Sequence, residues 1–263
     1  MLNQKFFLKC SIVFCFIMGI TIINSLAFDL EAVQGAWLFD EGKGNQVLDS
    51  SGKEHPGTFS ANDIKRVKGK FGEALEFSGG GRVVVPHADG FTSPNFTLMA
   101  WVNVPTVPNA YMLIVGKDGW PNRNYAMFVA SGTGQLHFAF CAQGKQDVGN
   151  FNSNKVIADG IWHHIVMTYD QKMRKIYIDG ELDKEAPSTE KPSENMVDIE
   201  IGRGLVGTID EVLIANKAFP VEDIKLALEN GLEKALKGGG KAVKSQNKAT
   251  TLWGNVKLTI GDF

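Results

Sequence analysis

The amino-acid sequence predicts an all-β fold, an antiparallel sandwich or barrel, and three observations predict it. Between residues 33 and 216, short apolar runs recur between turns rich in Gly, Ser, Asp and Asn. Several of these runs alternate apolar and polar residues with the period of two that puts one strand face on a core. No helical pattern separates the runs, which rules against a parallel sheet built from βαβ units.

Taken in order, "GAWLFDE" opens the series and is followed by the turn-rich "GKGNQVLDSSGKEHPG". Then come "EALEFSG", "RVVVP", "FTLMAWVNV", "YMLIVGK", "NYAMFVA", "QLHFAF", "WHHIVMTYD", "KIYID", "VDIEIG" and "GTIDEVLIA". In "FTLMAWVNV", Phe96, Leu98, Ala100, Val102 and Val104 share one side, and Thr97, Met99, Trp101 and Asn103 the other. In "QLHFAF", Leu136, Phe138 and Phe140 oppose Gln135, His137 and Ala139. Asp179-Gly180 between two runs signals a type I′ hairpin, because both central residues of that turn need φ > 0. One helix is predicted over residues 220–237: Val221, Ile224, Leu228, Leu232 and Leu236 form a stripe, with acids in the first turn and glycines after the last. Residues 238–263 read as a Gly/Lys-rich flexible linker and a tail, "TTLWGNVKLTI", that either adds a strand or is recognised by another factor.

Residues 1–27 stand apart. Lys5 and Lys9 precede an apolar run from Ser11 to Ile23, and Ser25 and Ala27 occupy the −3 and −1 positions of a cleavage site. This is the order of a secretory signal peptide, and the run falls short of the roughly 20 apolar residues of a comfortable membrane span; an uncleaved anchor is the alternative. The expected location is therefore secreted, periplasmic or cell-surface, with no membrane attachment after cleavage. Without Lys5 and Lys9 the chain keeps 25 basic and 29 acidic side chains, a net charge of −4 that disfavours nucleic acid as a partner. It also keeps a single cysteine, Cys141, so no intramolecular disulfide can form. An exported domain without a disulfide relies on a good core or a metal ion.

The blocks "GAWLFDEGKGNQVLDSSGKEHPGTF", "GKFGEALEFSGGGRVVVP", "FTLMAWVNV", "WHHIVMTYD", "KIYIDGEL" and "GTIDEVLIANKAF" resemble, in order, those of concanavalin A-like, laminin-G-like domains of secreted bacterial proteins. The likeness covers roughly residues 30–230. It implies an antiparallel jelly-roll β-sandwich over residues 28–219, a non-catalytic module that binds glycans or other cell-surface ligands, and a structural calcium ion. Glycosidases and lyases share the wider fold, so the fold leaves the function open.

Calcium takes hard oxygen ligands in a loose cage. Asp40, Glu41 and Asp49 lie in the first turn-rich segment and Asp210 and Glu211 near the last strand. The resemblance implies that Asp210, with a carboxylate or carbonyls from residues 40–49 (Asp40 and Asp49 foremost), holds calcium. Alternatively, Asp49 makes an Asx-turn and Asp210 caps backbone groups.

For ligand binding the strongest segment is "GKDGWPNRNYAM": Trp120 and Tyr125 offer flat faces to sugar CH groups, and Asn122, Arg123 and Asn124 offer hydrogen bonds. A Pro-Asn turn with Trp120 covering the core edge is the alternative. Arg203 and Asn150-Phe151-Asn152 are weaker additions. His163-His164 reads as structural, since adjacent strand residues face opposite ways; His55, His87 and His137 lack partners at ligand spacing.

A second function class rests on Glu181, Asp183 and Glu185, spaced as a glycoside hydrolase or polysaccharide lyase would space a nucleophile, helper and acid/base on one strand face. Against it, Lys184 stands where an apolar core residue belongs, and the triplet directly follows the Asp179-Gly180 turn, with Ile178 expected opposite Glu181 and Ile176 opposite Asp183. A third class is a structural or adhesive domain that binds protein.

Overall fold

A computed structural model describes residues 28–142, 145, 146, 148 and 150–239. The segment 1–27 expected to be a signal peptide and the tail beyond Gly239 lie outside the described residues. Sixteen strands are β1 (Val33–Trp37), β2 (Gln46–Val47), β3 (Gly57–Phe59), β4 (Lys65–Lys68), β5 (Glu73–Ser78), β6 (Val83–Val85), β7 (Phe96–Asn103), β8 (Met112–Lys117), β9 (Tyr125–Val129), β10 (Gln135–Ala139), β11 (Phe151–Val156), β12 (Trp162–Tyr169), β13 (Met173–Ile178), β14 (Glu181–Pro187), β15 (Ile199–Ile201) and β16 (Val206–Ala215). They form two antiparallel sheets. The first runs β14-β13-β12-β7-β16-β5-β4, with β1 also on β16; the second runs β11-β10-β9-β8-β15-β6-β3-β2.

The main core lies between the sheets. Phe96, Leu98, Ala100, Val102 and Val104 enter it from β7 and the residue after it, as the alternation predicts, and meet Leu136, Phe138 and Phe140 from the second sheet. On β7 the opposite residues Thr97, Met99 and Trp101 are buried too, for a reason the alternation does not contain. Helix α1 (Val221–Gly239) packs on the outer face of the first sheet and forms a second core with Met99, Val166, Tyr177 and Leu213. The helix extends two residues past its predicted end and kinks at Gly231, whose φ is 74°. There the Glu211 carboxylate accepts the Leu232 N–H and satisfies a donor that the kink releases.

Two local irregularities redirect side chains that strict alternation would align. In β16, Asp210 pairs with Trp101 but Leu213 with Met99, a bulge in which Glu211 takes a φ of 54°. Asp179 and Gly180 have φ of 54° and 81°, the predicted type I′ geometry, and Ile178 faces Glu181 as expected. Beyond that pair the expected register fails. Ile176 faces Lys184 and Tyr177 faces Leu182, so Asp183 is the extra residue of a bulge.

Candidate functional site

The helix covers the middle of the first sheet's outer face, and among the described residues no helix lies on the outer face of the second sheet. On it Leu113, Ala126, Phe128 and Ala139 form a small buried cluster. A row of planar and cationic side chains roofs this cluster. The Tyr111 ring stands 6.1 Å from Phe128 and 5.0 Å from His137. The Arg123 guanidinium lies 5.1 Å from the Phe128 centroid and 5.4 Å from that of Trp120. Tyr111 and Trp120, at the two ends of the row, are each 53% exposed. His137 Nδ1 is 2.6 Å from Asn152 Oδ1, so that nitrogen carries the proton and donates. Aromatic faces beside fixed hydrogen-bonding groups are suited to a ligand with both CH and OH surfaces.

Charges beside the row are largely spent on one another. Arg123 Nε donates to Asp118 Oδ1 at 2.6 Å, Arg203 Nη2 donates to Asp118 Oδ2, and Arg203 Nη1 and Arg82 Nε each reach Glu200 at 2.6 Å. Alternating signs hold the planar groups in place and leave little net charge, which favours a neutral partner.

The predicted segment around Trp120 divides in two. Trp120 and Asn122 are exposed. Arg123, Asn124 and Tyr125 are buried. Asn124 and Tyr125 are corrected to structural roles. The Asn124 amide donates to the Ser193 carbonyl at 2.7 Å. The Tyr125 hydroxyl donates to the Phe91 carbonyl at 2.7 Å, and burial pushes the phenol far up from its usual range. Tyr125 alternates inward from β9, which places it among the residues of the main core rather than on the sheet's outer face. Tyr111, Phe128 and His137 were the residues that sequence reasoning missed. Their outward positions are legible in the alternation, but their adjacency depends on the order β10-β9-β8, and His137 does have a partner in Asn152.

The Glu181-Asp183-Glu185 triplet does not line one wall. The bulge at Asp183 resets the alternation, so Glu181 pairs with Ile178 and Glu185 with Lys175, residues on opposite sides of β13. Glu181 lies 3.2 Å from Lys225 of the helix, and Glu185 3.8 Å from Lys175. Asp183 accepts the Asn154 and Lys155 backbone N–H groups at 2.5 and 3.0 Å and so ties β14 to β11 of the other sheet. Lys184 lies over the Phe151 ring at 5.8 Å, which keeps its charge out of the core.

Asp40 and Asp210 meet at the turn 69–73. Asp40 Oδ1 accepts the Glu73 N–H at 2.7 Å and Asp210 Oδ2 the Phe71 N–H at 3.0 Å. A Cβ on Gly72 would strike the Asp40 carboxylate, and one on Gly69 would strike Asp210. Asp210 Oδ1 is buried with no partner among the described residues. Desolvation, with Glu211 and Asp40 as like charges nearby, pushes Asp210 up to about 8, and burial pushes Glu211 up to about 7. Asp49 is corrected: its carboxylate is used up in the Asx-turn reading, accepting the Ala36, Ser51 and His55 N–H groups at 2.9–3.0 Å and the Ser51 hydroxyl at 2.8 Å. Among the described residues no three His, Cys, Asp or Glu side chains gather as a metal cluster. The turn is thus met by two carboxylates, Asp40 and Asp210, hard oxygen donors of the type that could hold a hard cation. His163 and His164 face opposite ways, as expected: His163 bridges Asp179 and Asp159, and the His164 ring lies tilted against Trp101, 5.2 Å between centroids.

A family profile described as the concanavalin A-like lectin/glucanases superfamily, laminin G type, matches residues 77–225. The chain belongs to this superfamily. No curated protein matches it. Solved structures share the fold at low identity. The binding domain of paraclostridial mosquitocidal protein 1 is 15% identical with a TM-score of 0.63, over 76% of this chain and 52% of that one. Domain 4 of the extracellular GH43 arabinanase of Geobacillus stearothermophilus, in complex with arabinotriose, is 19% identical with a TM-score of 0.58, over 73% and 97%. Botulinum neurotoxin type C, which depends on two ganglioside molecules to get into cells, is 17% identical with a TM-score of 0.61, over 76% and 51%. The chain therefore spans about half the length of the toxin chains and nearly all of the arabinanase domain.

Proposed function

We propose that this superfamily member is an exported, non-catalytic carbohydrate-binding module. The observation that carries the reading is the row Tyr111–Phe128–Arg123–Trp120, flanked by His137 and Asn152, on the outer face of the second sheet. The ligand's apolar ring faces stack on Tyr111 and Trp120, and its hydroxyls bond to His137 and to the amides of Asn152 and Asn122. Structural neighbours that include an arabinotriose complex and a ganglioside-dependent toxin support a glycan as the class of ligand. A panel of neutral oligosaccharides, arabinotriose included, and of sialylated glycans tests it by calorimetric titration. Saturable binding that Trp120→Ala and Tyr111→Ala each weaken about tenfold supports the reading; binding indifferent to both refutes it. Association with a protein partner and with no glycan would favour the adhesive class instead.

The reading includes a structural calcium ion. Asp210 and Asp40, with carbonyls of the adjoining turn, would hold it. When bound, calcium would offset the burial that otherwise pushes Asp210 toward protonation. Melting followed with chelator and with excess calcium tests this. An upward shift with calcium that Asp210→Asn abolishes is expected, and equal melting in both conditions refutes it.

A further inference from the structure

Lys117 is fully buried, and among the described residues no carboxylate lies within ion-pair distance of it. Burial lowers it to about 8, so the ammonium form persists at neutral pH. An unpaired buried charge is costly unless its hydrogen bonds are all made. Here they are made by three uncharged oxygens: the Asn195 carbonyl at 2.5 Å, Asn195 Oδ1 at 2.8 Å and the Val197 carbonyl at 3.0 Å. A three-oxygen cage is the kind of site a small cation takes, and Lys117 supplies a cation tethered to β8.

The cage leads directly to a recess. Asn195, whose Oδ1 faces the ammonium, uses its Nδ2 to donate to the Asn122 carbonyl at 2.7 Å and the Lys117 carbonyl at 3.3 Å. Asn122 and residues Lys191–Glu194 wall a recess of about 420 Å³, within the range of small-molecule sites. Its walls combine the buried Pro192 ring, the Asn122 amide and the Lys191–Glu194 ion pair at 2.9 Å. Ser193 belongs to the same wall; it is 5% exposed, and its hydroxyl, closed to solvent, has no partner among the described residues. The recess adjoins Trp120 through the turn in which the Asn122 N–H donates to the Gly119 carbonyl at 2.6 Å.

We propose that this recess is a subsite for one uncharged, hydroxyl-rich sugar unit, and that Lys117 is the positioning residue that builds it. The Ser193 hydroxyl is the buried group that a sugar hydroxyl satisfies, and the cage keeps Asn195, and through it Asn122, in register with the Trp120 platform. The subsite rests on the carbohydrate reading above, and the test separates the two.

Full-length protein is titrated with arabinotriose as Ser193→Ala and Lys117→Met variants, beside Trp120→Ala. Ser193→Ala removes a hydroxyl with no partner among the described residues, so melting stays parental while affinity falls about threefold to tenfold. Lys117→Met leaves the Val197 carbonyl without its donor and takes the shortest bond from Asn195 O and Oδ1, which keep only the Thr92 hydroxyl at 3.4 Å and the Val197 N–H at 3.2 Å. Amide exchange over residues 195–197 then quickens about tenfold or more, affinity falls, and excess methylammonium chloride, but not sodium chloride, reverses part of both. Should Lys117→Met fail to fold, Ser193→Ala still decides the recess. Parental affinity in Ser193→Ala, or parental exchange and affinity in Lys117→Met, overturns the subsite while Trp120→Ala still weakens binding. Absence of any arabinotriose binding by the unmodified protein overturns the subsite; absence across the whole panel overturns the carbohydrate reading as well.

Discussion

Two aromatic residues five positions apart separate binding from folding. Trp120 is half exposed at the end of the aromatic row, whereas Tyr125 is buried with its hydroxyl on the Phe91 carbonyl at 2.7 Å and its ring 5.2 Å from Phe96. Tyr125→Phe keeps the ring and removes the donor, leaving a buried carbonyl unpaired at a cost of about 1–3 kcal/mol. For a domain of this size each kcal/mol lowers the melting temperature by about 2–4 °C. Trp120→Ala costs the fold little, within about 0.5 kcal/mol as for other surface changes, because Arg123 keeps its bond to Asp118 and its place over Phe128. Glycan binding reverses the order: Trp120→Ala loses about 1.4 kcal/mol, a factor of ten, and Tyr125→Phe loses none. Urea unfolding and calorimetric titration of the two variants measure both quantities. The reasoning is refuted if Tyr125→Phe binds weakly while unfolding at the parental midpoint.

Other perturbations have signs set by the same geometry. Burial lowers His164 to about 4, below its ordinary 6.5, so the unfolded chain takes up the proton first. Stability is complete above pH 6.5 and lost as pH falls toward 4, by at most roughly 3 kcal/mol; His164→Asn should flatten that part of the pH profile of unfolding. Asp183→Asn weakens the tie between β14 and β11 and is expected to cost about 1 kcal/mol in urea unfolding. Glu181→Gln should leave a reducing-sugar assay where the unmodified protein leaves it, at background. A Cβ on Gly180 would meet Leu228 at 2.7 Å with a φ of 81°, so Gly180→Ala should destabilise by about 1–2 kcal/mol through both strain and contact.

Local chemistry was enough to read much of this protein from its sequence. The strand runs and their inward faces, the Asp179-Gly180 turn, the helix and the superfamily follow from periodicity, turn residues and ordered blocks, because each depends on residues near in sequence. The exposure of Trp120 and Asn122 was legible for the same reason, as polar and aromatic residues in a Pro-containing turn.

Tertiary structure decided where distant segments meet. The sheet order brings Tyr111, Phe128 and His137 side by side, and the helix covers the middle of the opposite face, so the exposed row belongs to neither strand nor loop alone. Two bulges reassign the carboxylates: one turns Glu181 and Glu185 to opposite sides, and the other sets Asp210 against the turn that Asp40 reaches. Asp49 and Tyr125 carry functional-looking groups that backbone partners consume. Side-chain type is a property of the sequence; which polar atoms are already satisfied is a property of the packed chain, and that difference separates a binding group from a structural one.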